Sequence, residues 1–179
     1  GVPKSEWVKT VKEAISQFSG GIPVGGRLVK VNRVTKNEYI NSKNSSYYKR
    51  FNPTVYEDKF NAANNLDEIV LASTNYVNED LKHERKDSFK EFARGDVLLQ
   101  IGNRDYSAKI IVGITASYNM VLYDVIDFTP TNFEIKKEST QYRYAQKAGS
   151  DRKGVLSDNN LPQNRDAVNT SISKSEKND

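Results

Sequence analysis

Cysteine is missing from this 179-residue chain, and histidine occurs once, at His83. The first absence excludes disulfides, thiolate zinc sites and cysteine nucleophiles. The second excludes His-rich metal sites and leaves a single imidazole for any Ser-His-Asp chemistry. No stretch approaches the roughly 20 apolar residues that a membrane-spanning helix needs, and mean hydropathy is −0.72. No apolar run follows Lys4, so no signal peptide is expected, and a start at Gly1 instead of Met suggests a piece excised from a longer chain. The lack of cysteine fits a cytoplasmic setting without excluding export. Gly20-Gly21 and Gly25-Gly26 lack a preceding strand and a following Lys-Ser/Thr, so no nucleotide loop is expected. No Asp-x-Asp or Glu-x-x-His spacing points to a metal, and no internal repeat is visible. Neither cofactor nor metal is therefore expected.

What is present suffices for one modest core: 36% apolar residues, with seven Phe and ten Tyr. The 27 Lys and Arg barely exceed the 23 Asp and Glu, for a net charge of +4. That balance favours a polyanionic partner only mildly, and a solvated mixed-charge surface explains it as well. Composition divides the chain into a single domain over 1–136 and a low-complexity tail over 137–179, which is too poor in apolar residues to offset the cost of ordering it.

Within the domain, Trp7, Val11, Ala14, Ile15 and Phe18 share one helix face, with Ser5 as N-cap and Gly20-Gly21 as stop. A turn over 22–26 leads to a strand over 27–31, and Thr35 with Glu38 reads as a capping box for a polar helix from Lys36 to Lys49. Asn52-Pro53 reads as N-cap and first helical residue. The stripe Leu66, Ile69, Val70, Ser73, Tyr76 and Val77 predicts a further helix, capped by Asn64 or Asn65, and Phe89 and Phe92 a helical turn ended by Gly95. From Asp96 the period becomes two, giving three antiparallel strands over 97–101, 106–115 and 120–128. On the middle one Tyr106, Ala108, Ile110, Val112 and Ile114 should face helices, and Ser107, Lys109, Ile111, Gly113 and Thr115 a more polar open side. Phe133 and Ile135 suggest a short final strand. The fold class is α+β, N-terminal helices on one face of a C-terminal antiparallel meander.

Chemistry concentrates in Lys82-His83-Glu84-Arg85-Lys86 and in Arg94. An imidazole titrates near neutrality and can move a proton, while Arg and Lys can hold a phosphate and stabilise a phosphorane. A Lys/Glu/Arg-rich loop between two helices is more often plain solvated surface. Arg94-Gly95 also reads as a basic helix end with a glycine cap. Tyr123 and Asp124 on the third strand, with Thr115 on the second, could line the open face as hydroxyl donors or orienting groups, although strand tyrosines mostly pack. The tyrosines from Tyr39 to Tyr56, interleaved with Lys43, Lys49 and Arg50, could offer stacking platforms for single-stranded RNA, although a helix using amphipathic Tyr at its boundary is the simpler account.

The runs Asn64-Asn65-Leu66-Asp67-Glu68-Ile69-Val70, Lys82-His83-Glu84-Arg85-Lys86-Asp87, Phe92-Ala93-Arg94-Gly95-Asp96-Val97-Leu98-Leu99, Asp105-Tyr106-Ser107-Ala108-Lys109 and Leu122-Tyr123-Asp124-Val125 carry a resemblance. Over about Tyr56 to Thr131 the chain resembles a large polyvalent protein-associated domain of phages and integrative elements. That group is similar to the BECR-fold ribonucleases, which include barnase, EndoU, colicin tRNases and RelE. The resemblance implies helices followed by a four-stranded antiparallel sheet, with RNA cleaved on its open face. It implies a metal-independent endoribonuclease, a toxin or effector domain of a mobile-element protein, acting on tRNA or other RNA. A possible immunity protein and other domains of a larger parent would be its partners. The matching residue types are His83, Arg85, Arg94, Thr115 and Tyr123 at the reaction, with Lys82, Lys86, Lys109, Lys43 and Lys49 on RNA. The chain has one His where EndoU enzymes use two, and no strand-borne Glu matches the barnase base. A non-catalytic nucleic-acid or protein binding module is the alternative.

Overall fold

A computed structural model describes residues 4–80 and 88–132. The chain runs α1 (Lys4–Ser16), β1 (Ile22–Val24), β2 (Arg27–Lys30), α2 (Arg33–Asn41), α3 (Lys43–Phe51), α4 (Pro53–Ala62), a 3₁₀ turn (Ala63–Asn65) and α5 (Leu66–Ala72). The remainder is β3 (Thr74–Asp80), β4 (Phe89–Ile101), β5 (Arg104–Thr115) and β6 (Met120–Pro130). The class is α+β. The six strands form one sheet in the order β1-β2-β6-β5-β4-β3. β3 to β6 make the antiparallel meander, but β2 joins β6 in parallel, so the sheet is mixed and wider than the four antiparallel strands expected. The added pairing comes from the short apolar run at Val29, whose inward side chain is fully buried.

Alternation along β5 sets the two sides. Tyr106, Ala108, Ile110 and Val112 join the core with Val11 and Ile15 of α1, Tyr39 and Ile40 of α2, Val55 and Phe60 of α4 and Leu66, Ile69 and Val70 of α5. This is the face assignment the sequence predicts.

Several boundaries differ from expectation. The helix predicted through Val77 ends at Ala72, because Ser73 turns extended and Asn75 sits at φ 57, a left-handed angle that no helix passes through. Thr74 onward instead pairs with β4, and Asn65 makes no side-chain cap. Phe89 and Phe92 lie on strand β4 and not in a helical turn, so Arg94 is no helix end and Gly95 no cap. Gly95 is in mid-strand because a Cβ there would stand 2.8 Å from the Tyr76 ring and 3.0 Å from Ile110. The capping box is Asn32 with Thr35, three residues earlier than Thr35 with Glu38: Thr35 is its third helical residue, and its hydroxyl accepts from the Asn32 N–H. The helix predicted over 36–49 is two, broken at Ser42, whose Oγ accepts from Ser45 N–H to start α3. Asn52 and Pro53 act as the sequence suggests, Asn52 Oδ1 accepting from Val55 N–H. The proposed tail over 137–179 and the strand at Phe133 and Ile135 lie outside the described residues.

Candidate functional site

The side of the sheet away from the helices collects the candidates. In β5, Ser107, Lys109, Ile111, Gly113 and Thr115 alternate onto it, and the β4 register sets Asp96 beside Lys109, Arg94 beside Ile111 and Phe92 beside Gly113. Arg94, Lys109, Thr115 and Tyr123 therefore share one face. Lys43 and Lys49 are on α3, in the helical layer, and do not join them. Lys82, His83, Arg85 and Lys86 lie outside the described residues, in the connection between β3 and β4.

Near that connection the face is aromatic instead of polar, against expectation. Phe89, Phe92, Ile111 and Val121 form a second buried cluster, with Tyr123, Val34 and Ile126 packed on it. The Tyr123 ring meets Phe92 edge-on at 4.8 Å and Phe89 at 5.6 Å. Gly113 makes room for this: a Cβ would lie 2.5 Å from the Phe89 ring. Thr115 closes β5, its Oγ1 accepting from Asn119 N–H at 3.1 Å and sharing a hydrogen bond with Ser117 at 3.2 Å.

Alternation from Val121 points Tyr123 away from the helices. Between Ile111 and Val112 the β6 register then slips, so that Ile126 turns away while Asp124 and Val125 both turn to the helices, Asp124 against the expectation that it lines the open face. Asp124 is held there by Lys59 of α4, whose Nζ donates to Asp124 Oδ1 at 2.8 Å and to Ser45 Oγ at 2.6 Å. Tyr39 closes the network, its hydroxyl donating to the Lys59 carbonyl and its ring 4.7 Å below the ammonium. Burial lowers the pKa of Lys59, against the pull of Asp124, and raises those of Asp124 and Tyr39.

At the other end of the face lies a shallow groove of about 380 Å³, lined among others by Asn75, Asp96, Ser107, Lys109, Asp127 and Thr129. Lys109 Nζ is paired with Asp96, and Asn75 Nδ2 donates to Asp96 at 3.5 Å. Asn75 and Asp127 both have left-handed backbones, φ 57 and φ 55. Left-handed non-glycine residues gather at functional sites more often than elsewhere. Sequence reasoning missed Asn75, Asp96 and Asp127; for Asp127, an Asp inside the apolar run 125–128 was the available signal, since Asn and Asp best tolerate that conformation.

Arg94 is 43% exposed and paired with Glu79 at 3.3 Å. Rising about 3.3 Å per residue, β5 separates Thr115 from Ile111, and so from Arg94 beside it, by about 13 Å. The face thus offers a guanidinium, an ammonium, a phenol and a hydroxyl strung along the sheet and not converging on one point. Among the described residues no three His, Cys, Asp or Glu stand close enough to hold a metal ion, and no helix is long and apolar enough to cross a membrane. Against family models, curated proteins and solved structures alike, the chain finds no match.

Proposed function

We propose that this domain is a metal-independent endoribonuclease working on the sheet face away from the helices, as the toxin or effector part of a phage or mobile-element protein, with tRNA or another RNA as substrate. The observation that carries this is a matter of connection. Residues 81–87 join Asp80 to β4, whose Phe89 pairs with Thr115, so the concentrated His and cations are tethered to the end of the face that bears Thr115 and Tyr123. In this reading a base removes the 2′-hydroxyl proton, the 2′-oxygen attacks phosphorus, and the bond to the 5′-oxygen breaks as an acid protonates it. The products are a 2′,3′-cyclic phosphate and a 5′-hydroxyl. His83 serves as acid or base, Arg85 and Arg94 hold the phosphate, and Thr115 and Tyr123 supply hydroxyl contacts. Lys82, Lys86 and Lys109 hold the flanking strand.

One observation favours a second reading, a non-catalytic nucleic-acid or protein binding module: the described candidates are spread over the face, and two of its cations are already paired with acids. Incubating the purified protein with total bacterial RNA in EDTA separates the two. The nuclease reading expects cyclic-phosphate ends, a loss of about 10²–10⁴-fold in His83→Ala, and a slower chemical step in Arg94→Ala. Absence of cleavage by the wild type leaves the binding module. Full turnover in His83→Ala removes that residue from the reaction.

A further inference from the structure

Three cations of the sheet pair with acids, Arg94 with Glu79, Lys109 with Asp96 and Arg104 with Asp58. The three of α3 stand side by side without such pairing. Lys43, Lys49 and Arg50 have no carboxylate within ion-pair distance among the described residues, and α3 itself contains no acid. Helix stability explains only part of this. Lys49 and Arg50 occupy the last turn, where the helix dipole favours cations, but Lys43 is the first residue, where it disfavours them.

Two large rings share this surface. Tyr47 is 57% exposed and Phe51 61% exposed. One turn apart, their centroids are 5.0 Å from each other, and the Arg50 guanidinium lies 5.1 Å from the centre of the Phe51 ring. The inward side of the helix is already used, because Ser45 is buried against Lys59 and the Tyr48 hydroxyl accepts from Phe128 N–H of β6. Nothing in the packing of α3 calls for the rings or the charges on its outer side.

We propose that the outer side of α3 is a second RNA-contacting surface, in the helical layer and away from the sheet face, that takes single-stranded RNA. Unpaired bases stack on Tyr47 and Phe51, and phosphates meet Lys43, Lys49 and Arg50. Charge complementarity selects a polyanion, and the flat, cation-flanked rings select one with π faces. A membrane surface fits less well: nine residues span about 13.5 Å, and two adjoining rings flanked by Ser46, Lys49 and Arg50 do not make the continuous apolar stripe of an interfacial helix. The proposal rests on RNA being the ligand, and it extends that reading to a surface where no bond need break.

The test uses the full chain and a fluorescent 2′-O-methyl oligouridine, which lacks the free hydroxyl that cleavage needs, so binding is measured apart from chemistry. Tyr47→Ser with Phe51→Ser, and separately Lys43→Glu with Arg50→Glu, should each bind about tenfold or more weaker than wild type. The charge variant should also show a shallower salt dependence, by about one for each cation removed. Both should melt at the wild-type temperature. Equal affinity in wild type and both α3 variants overturns the surface, whether or not the protein cleaves RNA. Binding that depends on α3 in a protein that cleaves nothing upholds the surface and overturns only the nuclease. A wild type that ignores the probe but sediments with vesicles of equal phosphatidylcholine and phosphatidylserine assigns the rings to lipid and overturns the proposal.

Discussion

Buried charges in this molecule serve position. Asp58 is fully buried yet accepts two bonds of 2.6 Å from the Arg104 guanidinium and one from the Tyr106 hydroxyl, an arrangement that ties α4 to the first turn of β5. Burial, and then the Asp58 carboxylate, push the Tyr106 phenol from 10.0 up to about 12. The folded state thus keeps a proton that the unfolded chain gives up in that window. This contribution to stability is complete below pH 10.0 and is lost as pH rises through about 12. Tyr106→Phe should cost about 1 kcal/mol at neutral pH, since Asp58 keeps Arg104, and should flatten the fall in stability across the same alkaline window. Urea melts of both proteins along that pH series check this; parallel curves would mean that Tyr106 does not hold its proton. Lys59 and Asp124 also serve position deeper in the core, where their bond holds Asp124 inward at the β6 bulge.

The two sides of β5 differ at the scale of the element, and substitution should read the difference directly. Ile110 and Val112 are fully buried against helices, whereas the Lys109 side chain is 47% exposed. Ile110→Ala should cost about 2–5 kcal/mol and Lys109→Ala less than about 0.5 kcal/mol. Gly113→Ala, on the Lys109 side, should cost about 1–3 kcal/mol by displacing the Phe89 ring. Chemical denaturation of the three variants gives the order, and a Lys109→Ala cost rivalling that of Ile110→Ala would exchange the faces. This strand was legible because every second residue over ten is apolar, with Ile111 alone departing on the opposite side, and the start of α4 because Asn52-Pro53 acts locally. β3 was not legible. Leu66 to Val77 falls at helical spacing by coincidence of a real helix with a strand that follows it, and only pairing with β4 decides where one becomes the other. The start of β4 failed for a related reason: Phe89, Phe92 and Gly95 resemble a capped helical turn until the Tyr76 ring over Gly95 is known.

At the scale of the molecule, the pairing that no local pattern announces is the parallel one between β2 and β6, Val29 beside Met120 and Lys30 beside Val121. It joins the first thirty residues to the last strand, and the candidate site depends on this closure, because α3 and α4 hold the β6 bulge while β4 and β5 carry the cations. Sequence could name the residue types of the site but not their spread over one face, which follows from register and from the bulge. The larger of the two buried clusters runs from Val11 to Phe128, and Trp7, the sole tryptophan, packs on it with its ring 6.4 Å from Tyr56 of α4. With α1 and the meander sharing that core, neither can lose its partner without exposing the other. Unfolding should therefore be one cooperative event. Trp7 fluorescence, which reports the N-terminal helix, and far-ultraviolet circular dichroism, which reports the whole backbone, should trace superimposable urea transitions with the same midpoint. A tryptophan transition at lower urea would show α1 leaving an otherwise folded sheet, and the core would then be two units instead of one.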